Sequence, residues 1–460
     1  SGIPMANIGI LTRTSAAPPG PRGLPLLGVL SELRRDTLEF IRRVGRQYGD
    51  LITLDLGVER VWLLNHPDHV RRVLHDNYRN YRKSDYYKRS KPLVGLGLLT
   101  SEGELWRRQR MLMQPAFRRE RLPHYVATMV ACAEGALTRW AAAAARGEAL
   151  PLGREIMRLT RTILIRALFG AAMSGGEVRI DRALETVLAF HEARVWSLLP
   201  LPTALPTPAN LRYRAALKTL NDLVRSLILA CRARGTPGDD LLSLLVFARD
   251  ESTGEGMSEQ QLRDEVMTIF IAGHETTALA TLWTLHLLSQ HEVERVRLEA
   301  EIDAVLASRP PGVADLGRLA YAAQVVQESM RLYPPLWTIS RAAIAEDEIG
   351  GYVIPAGTTV MICPYLIHRH PEVWRDPERF DPDRFSTPEV ERRHPYAYFP
   401  FAAGPRKCIG AQLGLTEAVV LTAMICQRFR LRLTAGETVV PRAMMTLRPE
   451  REIMVELKPR

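Results

Sequence analysis

The sequence predicts a mainly α protein with a small β lobe. Three observations carry this. Residues 258–289 run without proline and are apolar through the middle, as a buried helix is. The span from about 112 to 234 reads as successive amphipathic helices. Strand-like runs are short and cluster near the two ends of the 460-residue chain.

The elements follow in order. Residues 1–30 are a Pro/Gly-rich leader around Pro18-Pro19-Gly20-Pro21. Proline fixes φ and removes a donor, so this leader is extended. Residues 1–4, ahead of Met5, read as a tag remnant, and residues 31–460 as a single domain. A helix is expected from 36 to about 48, then strands at 51–56 and 61–64 around a turn at Gly57. The helical block breaks at 121–123, 170–176 and 200–208, where Pro or Gly gathers. Ser258-Glu259-Gln260-Gln261 has the form of a capping box. The helix it opens would be about 48 Å long, at about 1.5 Å per residue. Beyond Pro334, β-like runs at 352–355 and 358–362 lead into a Pro-, Asp- and Arg-rich coil over 371–400. A helix at about 409–428 and C-terminal β-like runs complete the chain.

Composition narrows the function. Hydrophobic residues make up 46% and charged residues 24%, which excludes disordered and collagen-like chains. The net charge is +10, yet its cations are scattered, and runs such as Arg118-Arg119 and Arg392-Arg393 stand beside acids. That pattern excludes a nucleic-acid stripe and suits a patch for an acidic protein partner. The five cysteines form no CxxC pair, so neither a disulfide scaffold nor a structural zinc site is expected. A reducing compartment, the cytoplasm, fits. No apolar run approaches the roughly 20 residues of a transmembrane helix, so no membrane anchor is expected.

Several clusters carry chemistry. Cys408 precedes a helix and follows Arg406 and Lys407. Helix N–H groups and cations stabilise a thiolate, the form that serves as an axial haem ligand. Taken alone, Cys408 also fits a small buried hydrophobe. In Ala272-Gly273-His274-Glu275-Thr276-Thr277, Gly273 leaves room for a ligand, and Glu275 and Thr276 supply an acid–alcohol pair for proton relay. A zinc-protease H-E-x-x-H is excluded, because its last position is Ala278. Glu328 and Arg331, three apart, share a helix face, as do Trp106 and Arg110, four apart.

Phe401-x-x-Gly404-x-Arg406-x-Cys408-x-Gly410 resembles the haem-binding signature of the cytochromes P450. The other clusters agree with that family in order and spacing, so the resemblance covers essentially the whole chain. It implies the cytochrome P450 fold, with the long central helix crossing haem b. It implies Cys408 as the metal ligand, with Phe401, Arg406, Gly410, Ala272, Trp106, Arg110 and Arg341 contacting the cofactor. Glu275 and Thr276 are the implied catalytic pair. Glu328, Arg331 and Arg384, the last from Pro382-Asp383-Arg384-Phe385, are the implied structural network. The family's variable wall positions fall on Tyr86, Tyr87, Leu96, Val195, Trp196, Leu199, Ile269, Leu336, Trp337, Ile339, Met444 and Met445, each of which also suits a core. Residues 195–206 would form a lid.

The activity implied is insertion of one atom of O2 into a lipophilic small molecule: a fatty acid, terpenoid, steroid or polyketide. Electrons would come from a ferredoxin or flavodoxin with its reductase, docking on cations that include Lys407 or Arg118-Arg119. The leader resembles the hinge that follows the membrane anchor of eukaryotic members; without an anchor it points to a soluble bacterial enzyme. Two alternatives stay open: a peroxide-driven or non-oxygenating haem-thiolate enzyme, and a non-catalytic haem protein binding a lipophilic ligand. The intact Glu275-Thr276 pair weighs against the first.

Overall fold

The computed structural model describes residues 17–57, 59–169, 177–195, 202–251 and 253–460. Its contacts divide the chain into two units. One takes the described residues up to Ser84 with Thr338–Pro377 and His394–Arg406, and the other takes Asp85–Trp337, Glu378–Arg393 and Lys407–Arg460.

The first unit is built on a five-stranded sheet. Its order is Leu51–Asp55, Arg60–Leu64, Thr359–Ile362, Ile339–Ala343, Tyr81–Lys83. Only the pair Arg60–Leu64 and Thr359–Ile362 is parallel. Alternate apolar residues, among them Trp62, Leu64, Val360 and Ile362, fill one cluster with Phe399. The expected helix is present at Thr37–Tyr48, where Asp36 caps the N–H of Glu39 at 3.1 Å. The leader packs on the first strand: Thr53 N–H donates to Pro19 O at 2.9 Å, and Val29 N–H to Asp55 O at 2.7 Å. The buried Asp347 carboxylate takes Arg72 at 2.6 Å and the Tyr81 hydroxyl at 2.8 Å, pinning the sheet's edge.

The second unit is organised by the helix Glu259–Gln290. Ser258 Oγ accepts from Gln261 N–H at 3.1 Å, so the expected cap forms. The return half of the capping box, from the Ser258 N–H to the Gln261 side-chain oxygen, does not accompany it. The long helix packs on Leu152–Phe169, Ala320–Leu332 and Ala411–Arg428. The break expected at 121–123 is a helix start: Leu122–Ala145 carries Pro123 in its first turn, where a missing N–H costs nothing. The strand Leu150–Pro151 was not expected. It pairs with Met454–Pro459, far along the chain, and a two-residue run has no periodicity to read. Met454–Pro459 also pairs with Phe429–Leu433, and Pro441–Ala443 with Leu447–Pro449 forms a separate hairpin. Residues 170–176 and 196–201 lie outside the described residues. Among the described residues no helix is long and apolar enough to cross a membrane.

Two buried acids matter to this unit. Glu328 meets Arg331 at 2.6 and 2.8 Å, and both are fully buried. Arg384 Nε stands 3.5 Å from Glu328 Oε1, and the Asp381 N–H donates to the same oxygen at 2.9 Å. Arg331 also donates to Arg379 O at 3.0 Å, so the coil over 378–393 is tied to the helix Ala320–Leu332. The second acid, Glu417, is buried with no partner at Oε1, and burial pushes its carboxyl up to about 8.

Glu328→Ala should cost about 3–5 kcal/mol in denaturant unfolding, because it strands the Arg331 charge. Glu328→Leu with Arg331→Met should recover most of that loss. Glu417 holds its proton when folded up to about pH 8 and releases it near 4.5 when unfolded. Raising pH across that window therefore favours unfolding. Relative to wild type, Glu417→Gln should gain stability from pH 5 to 8 and show no such gain at pH 4.

Candidate functional site

Cys408 lies two residues before Gly410, the N-cap of the helix Ala411–Arg428. It is exposed, whereas Cys132, Cys231, Cys363 and Cys426 are buried. Burial pushes the Cys363 and Cys426 thiols up to about 12. Protein packed around the inner side of Cys408 also pushes its thiol up, while the Gly410 N–H, Arg110 and Lys407 pull it down. The cations and helix N–H act in the direction expected from sequence, but burial outweighs them in the thiol form. Arg110 donates to Lys407 O at 2.8 Å, which fixes the helix Gly103–Met113 to the Cys408 segment. Trp106, one turn earlier on that helix, is half-buried. A Cβ at Gly410 would stand 3.9 Å from the Phe117 ring and 4.0 Å from Cys408 Sγ.

The long helix has one open stretch. From Asp264 to Leu285 every residue is buried except Ala272, Gly273 and Thr276. Ala272 is exposed, and Thr276 donates its hydroxyl to Ala272 O at 2.8 Å. Gly273 does not serve as expected. A Cβ there would meet the Leu164 side chain at 3.2 Å, so its missing side chain admits a neighbouring helix, and Ala272 is the open position.

Glu275, the neighbour of Thr276 in sequence, is buried. It accepts from Thr446 Oγ1 at 2.7 Å and pairs with Arg448 at 3.3 Å. Around it, Trp283 Nε1 donates to Leu447 O at 2.9 Å, and Leu447 N–H to Pro335 O at 2.9 Å. Trp337 Nε1 donates to Met444 O at 2.7 Å. The loop 444–448 is thus stitched to the long helix and to Pro335 and Trp337. Sequence reading missed Thr446 and Arg448. The signal for them was indirect: a carboxylate in an apolar helix needs a partner, but nothing local names it.

In the first unit, Phe401 and Arg406 are half-buried. Arg341 is buried on the strand Ile339–Ala343 and donates to Ser340 O at 2.8 Å. Gly404 has φ +68°, and a Cβ there would sit 1.8 Å from Leu74 O. Only glycine allows both the left-handed backbone and that approach.

The expected wall residues are spread among several settings. In the second unit Tyr86, Leu96 and Leu336 are exposed, while Tyr87, Met444 and Met445 are half-buried. Ile269 lies in the apolar core cluster, and Trp337 is buried on Met444. In the first unit Ile339 is part of the sheet's core. Trp196, Leu199 and the side chain of Val195 lie outside the described residues.

This donor set fits haem. A structural metal site needs three or four protein ligands, and the described residues hold no group of three. Haem iron takes a single axial thiolate, and Cys408 is an exposed thiol with an N–H donor beside it. The open face of the long helix carries the small side chains of Ala272 and Thr276, which suit the approach of a planar ring.

The model of the cytochrome P450 family matches residues 18–457. The chain is 38% identical to cyclooctatin synthase of Streptomyces melanosporofaciens, over 93% of this chain and 92% of that protein. It is 33% identical to pentalenene oxygenase of Streptomyces avermitilis, over 97% and 98%. A crystal structure of the cytochrome P450DA heme domain superposes with a TM-score of 0.89 at 28% identity, covering 97% of this chain and 98% of that one. The chain belongs to the cytochrome P450 family. It is a haem monooxygenase that uses O2, a redox partner and a lipophilic substrate.

Gly404→Ala should lower haem content per protein severalfold, because it forces the segment off Leu74. Ala403→Gly is the control and should load normally; absorbance at the Soret band against total protein is the measurement.

Proposed function

We propose that this enzyme hydroxylates a terpenoid, with haem b bound through Cys408. The observation that carries the site is Cys408 itself: a reachable thiol beside a helix N-cap, with Arg110 tied to its neighbour. The terpenoid class is supported by the relatives, named for cyclooctatin, cyclooctat-9-en-7-ol and pentalenene. In this reading residues 31–460 act as one catalytic domain in the cytoplasm. Trp106, Arg110, Arg341 and Arg406 offer N–H donors to the haem carboxylates, a task that suits the planar guanidinium fork. Phe401, Gly410 and Ala272 would border the ring.

When bound, haem supplies the reductive activation of dioxygen. The overall step takes one substrate C–H, O2, two electrons and two protons, and yields one C–OH and one water. The protein's task is to bring the protons. Thr276 holds its hydroxyl on Ala272 O at the open face, one residue from the Glu275 carboxyl. Glu275 reaches Thr446 and the partly exposed Arg448, which gives it a route toward water. The apolar wall excludes competing water and holds the hydrocarbon. A ferredoxin or flavodoxin delivers the electrons. Its acidic surface would meet Lys407, Arg118 and Arg119, all exposed, with Phe117 packed near Gly410.

Reduction by dithionite under carbon monoxide should move the Soret band far to the red, and Cys408→His should lose that shift. A wild-type band at the position of His-ligated haem sinks the ligand assignment. Thr276→Ala should consume several times more reductant per product, whereas a fully coupled Thr276→Ala enzyme removes Thr276 from the relay. Lys407→Glu with Arg118→Glu should slow partner-supported turnover at low salt and leave dithionite reduction unchanged.

A further inference from the structure

The second unit holds a cleft of about 670 Å³ where the long helix begins. Small-molecule sites run from about 300 to 1,000 Å³. The helices Gly103–Met113, Pro208–Ala233 and Leu241–Phe247 each contribute to its lining, through Arg108, Arg232 and Phe247. Val246 and Met257 are buried and Phe247 is half-buried, so part of the lining is apolar.

The rest is cationic. Arg108, Arg232 and Arg249 face a single lining acid, Glu255. Arg108 takes that acid at 3.1 Å, with Asp250 at 4.0 Å behind it. Arg249 spends one nitrogen on backbone, donating to Ala248 O at 2.9 Å and to Val246 O at 3.3 Å. Arg232 is exposed, and among the described residues no carboxylate pairs with it or with Arg249. The acids that follow Arg232 in sequence are engaged elsewhere: Asp239 with Arg121 at 3.1 Å and Asp240 with Arg234 at 3.2 Å. Glu259, in the first turn of the long helix, pairs with Arg225 at 2.8 Å. Two guanidiniums therefore line an apolar cleft without a neutralising charge. Gln261, also on the lining, has an amide nitrogen buried without a partner, and a donor so placed gains by turning to a bound oxyanion.

The cleft's rim is held by its own hydrogen bonds. Asp250 N–H donates to Glu255 O at 2.9 Å, Gly254 N–H to Asp250 O at 2.8 Å and Thr253 N–H to Asp250 Oδ1 at 3.1 Å. A Cβ at Gly256 would lie 2.6 Å from Arg249 Nη1, so the glycine leaves the space that this guanidinium fills. A rim fixed beforehand loses less entropy when a ligand binds. The cleft is also separate from the open face: Gln261 precedes Ala272 by about 16 Å along the helix, at about 1.5 Å per residue.

We propose that this cleft is a second binding site, for a small amphiphilic anion. Arg232 and Arg249 would take a carboxylate or phosphate head, which the planar fork of guanidinium donors fits. A short hydrocarbon body would lie against Phe247 and Met257. A concave cleft suits such a molecule better than the flat face of a protein partner. The proposal goes beyond the monooxygenase reading and does not depend on which substrate the haem oxidises.

Equilibrium dialysis of the haem-loaded enzyme tests it, with 4-phenylimidazole present at saturation to keep probes off the haem. Octyl phosphate and octanoate, both below their micellar range, carry head and body together; inorganic phosphate carries the head alone and 1-octanol the body alone. At least one octyl anion should bind saturably at one site, about tenfold or more tighter than either half, and the preferred anion identifies the head. Arg232→Glu with Arg249→Glu should weaken it about tenfold or more. Arg212→Glu with Lys218→Glu makes the same change in net charge on the helix Pro208–Ala233, about 21 Å from Arg232, and should stay within about twofold. Arg232→Gln alone should weaken binding about threefold and decides the matter if the double variant fails to fold. No saturable binding of either octyl anion overturns the proposal. So does binding of phosphate or octanol as tight as that of the octyl anions, or binding that the Arg232 and Arg249 variants leave unchanged.

Discussion

A polar group buried in an apolar helix has to find a partner, and the second unit is arranged around that requirement. The helix Glu259–Gln290 is buried over most of its length, yet it carries Asp264, Glu265, His274 and Glu275. An unpaired carboxylate in such surroundings is costly, so each recruits a segment from elsewhere. Asp264 and Glu265 draw in the amides of Leu96 and Leu98. His274 differs: its Nδ1 meets Phe270 O at 3.0 Å within the helix itself. Glu275 draws in Thr446 and Arg448 from near the C-terminus. The polar residues of the helix therefore decide which distant loops lie against it.

The helix's threonines follow another logic. Thr268, Thr276, Thr277, Thr281 and Thr284 each donate to the carbonyl four residues back. A hydroxyl satisfied in this way needs no outside partner, so these positions add polarity to a buried helix at little cost. Thr276 alone among them is not buried. The same local bond that silences its neighbours holds the Thr276 hydroxyl at the open face, where it can be exchanged for another acceptor.

Local signals were legible in the sequence, and pairings across the chain were not. The cap at Ser258, the helix after Asp36, the strands flanking Gly57 and the Glu328–Arg331 pair all follow from residues a few positions apart. Arg384 was found only because the family resemblance supplied it. The strand Leu150–Pro151, the partners Thr446 and Arg448, and the pegging of Leu96 and Leu98 join residues far apart in sequence, and no periodicity encodes them. Glycines show the same divide. Gly404 stood out as a glycine, but its reason, the carbonyl of Leu74, belongs to another segment. Gly273 was read as room for a ligand and instead makes room for Leu164.

Two buried carboxyls in the same unit show how setting separates roles. Glu417 has no partner at its buried oxygen, and burial lifts its carboxyl to about 8, so near neutral pH it keeps its proton and stays closed off. Glu275 is buried as well, but it touches a hydroxyl and a guanidinium that is partly exposed. A group that moves protons needs both a partner that stabilises its charge and a way out to water, and Glu275 has both where Glu417 has neither. Identity and burial are the same for the two acids, so it is residues 444–448, lying against the long helix, that set Glu275 apart and underlie the relay proposed for it.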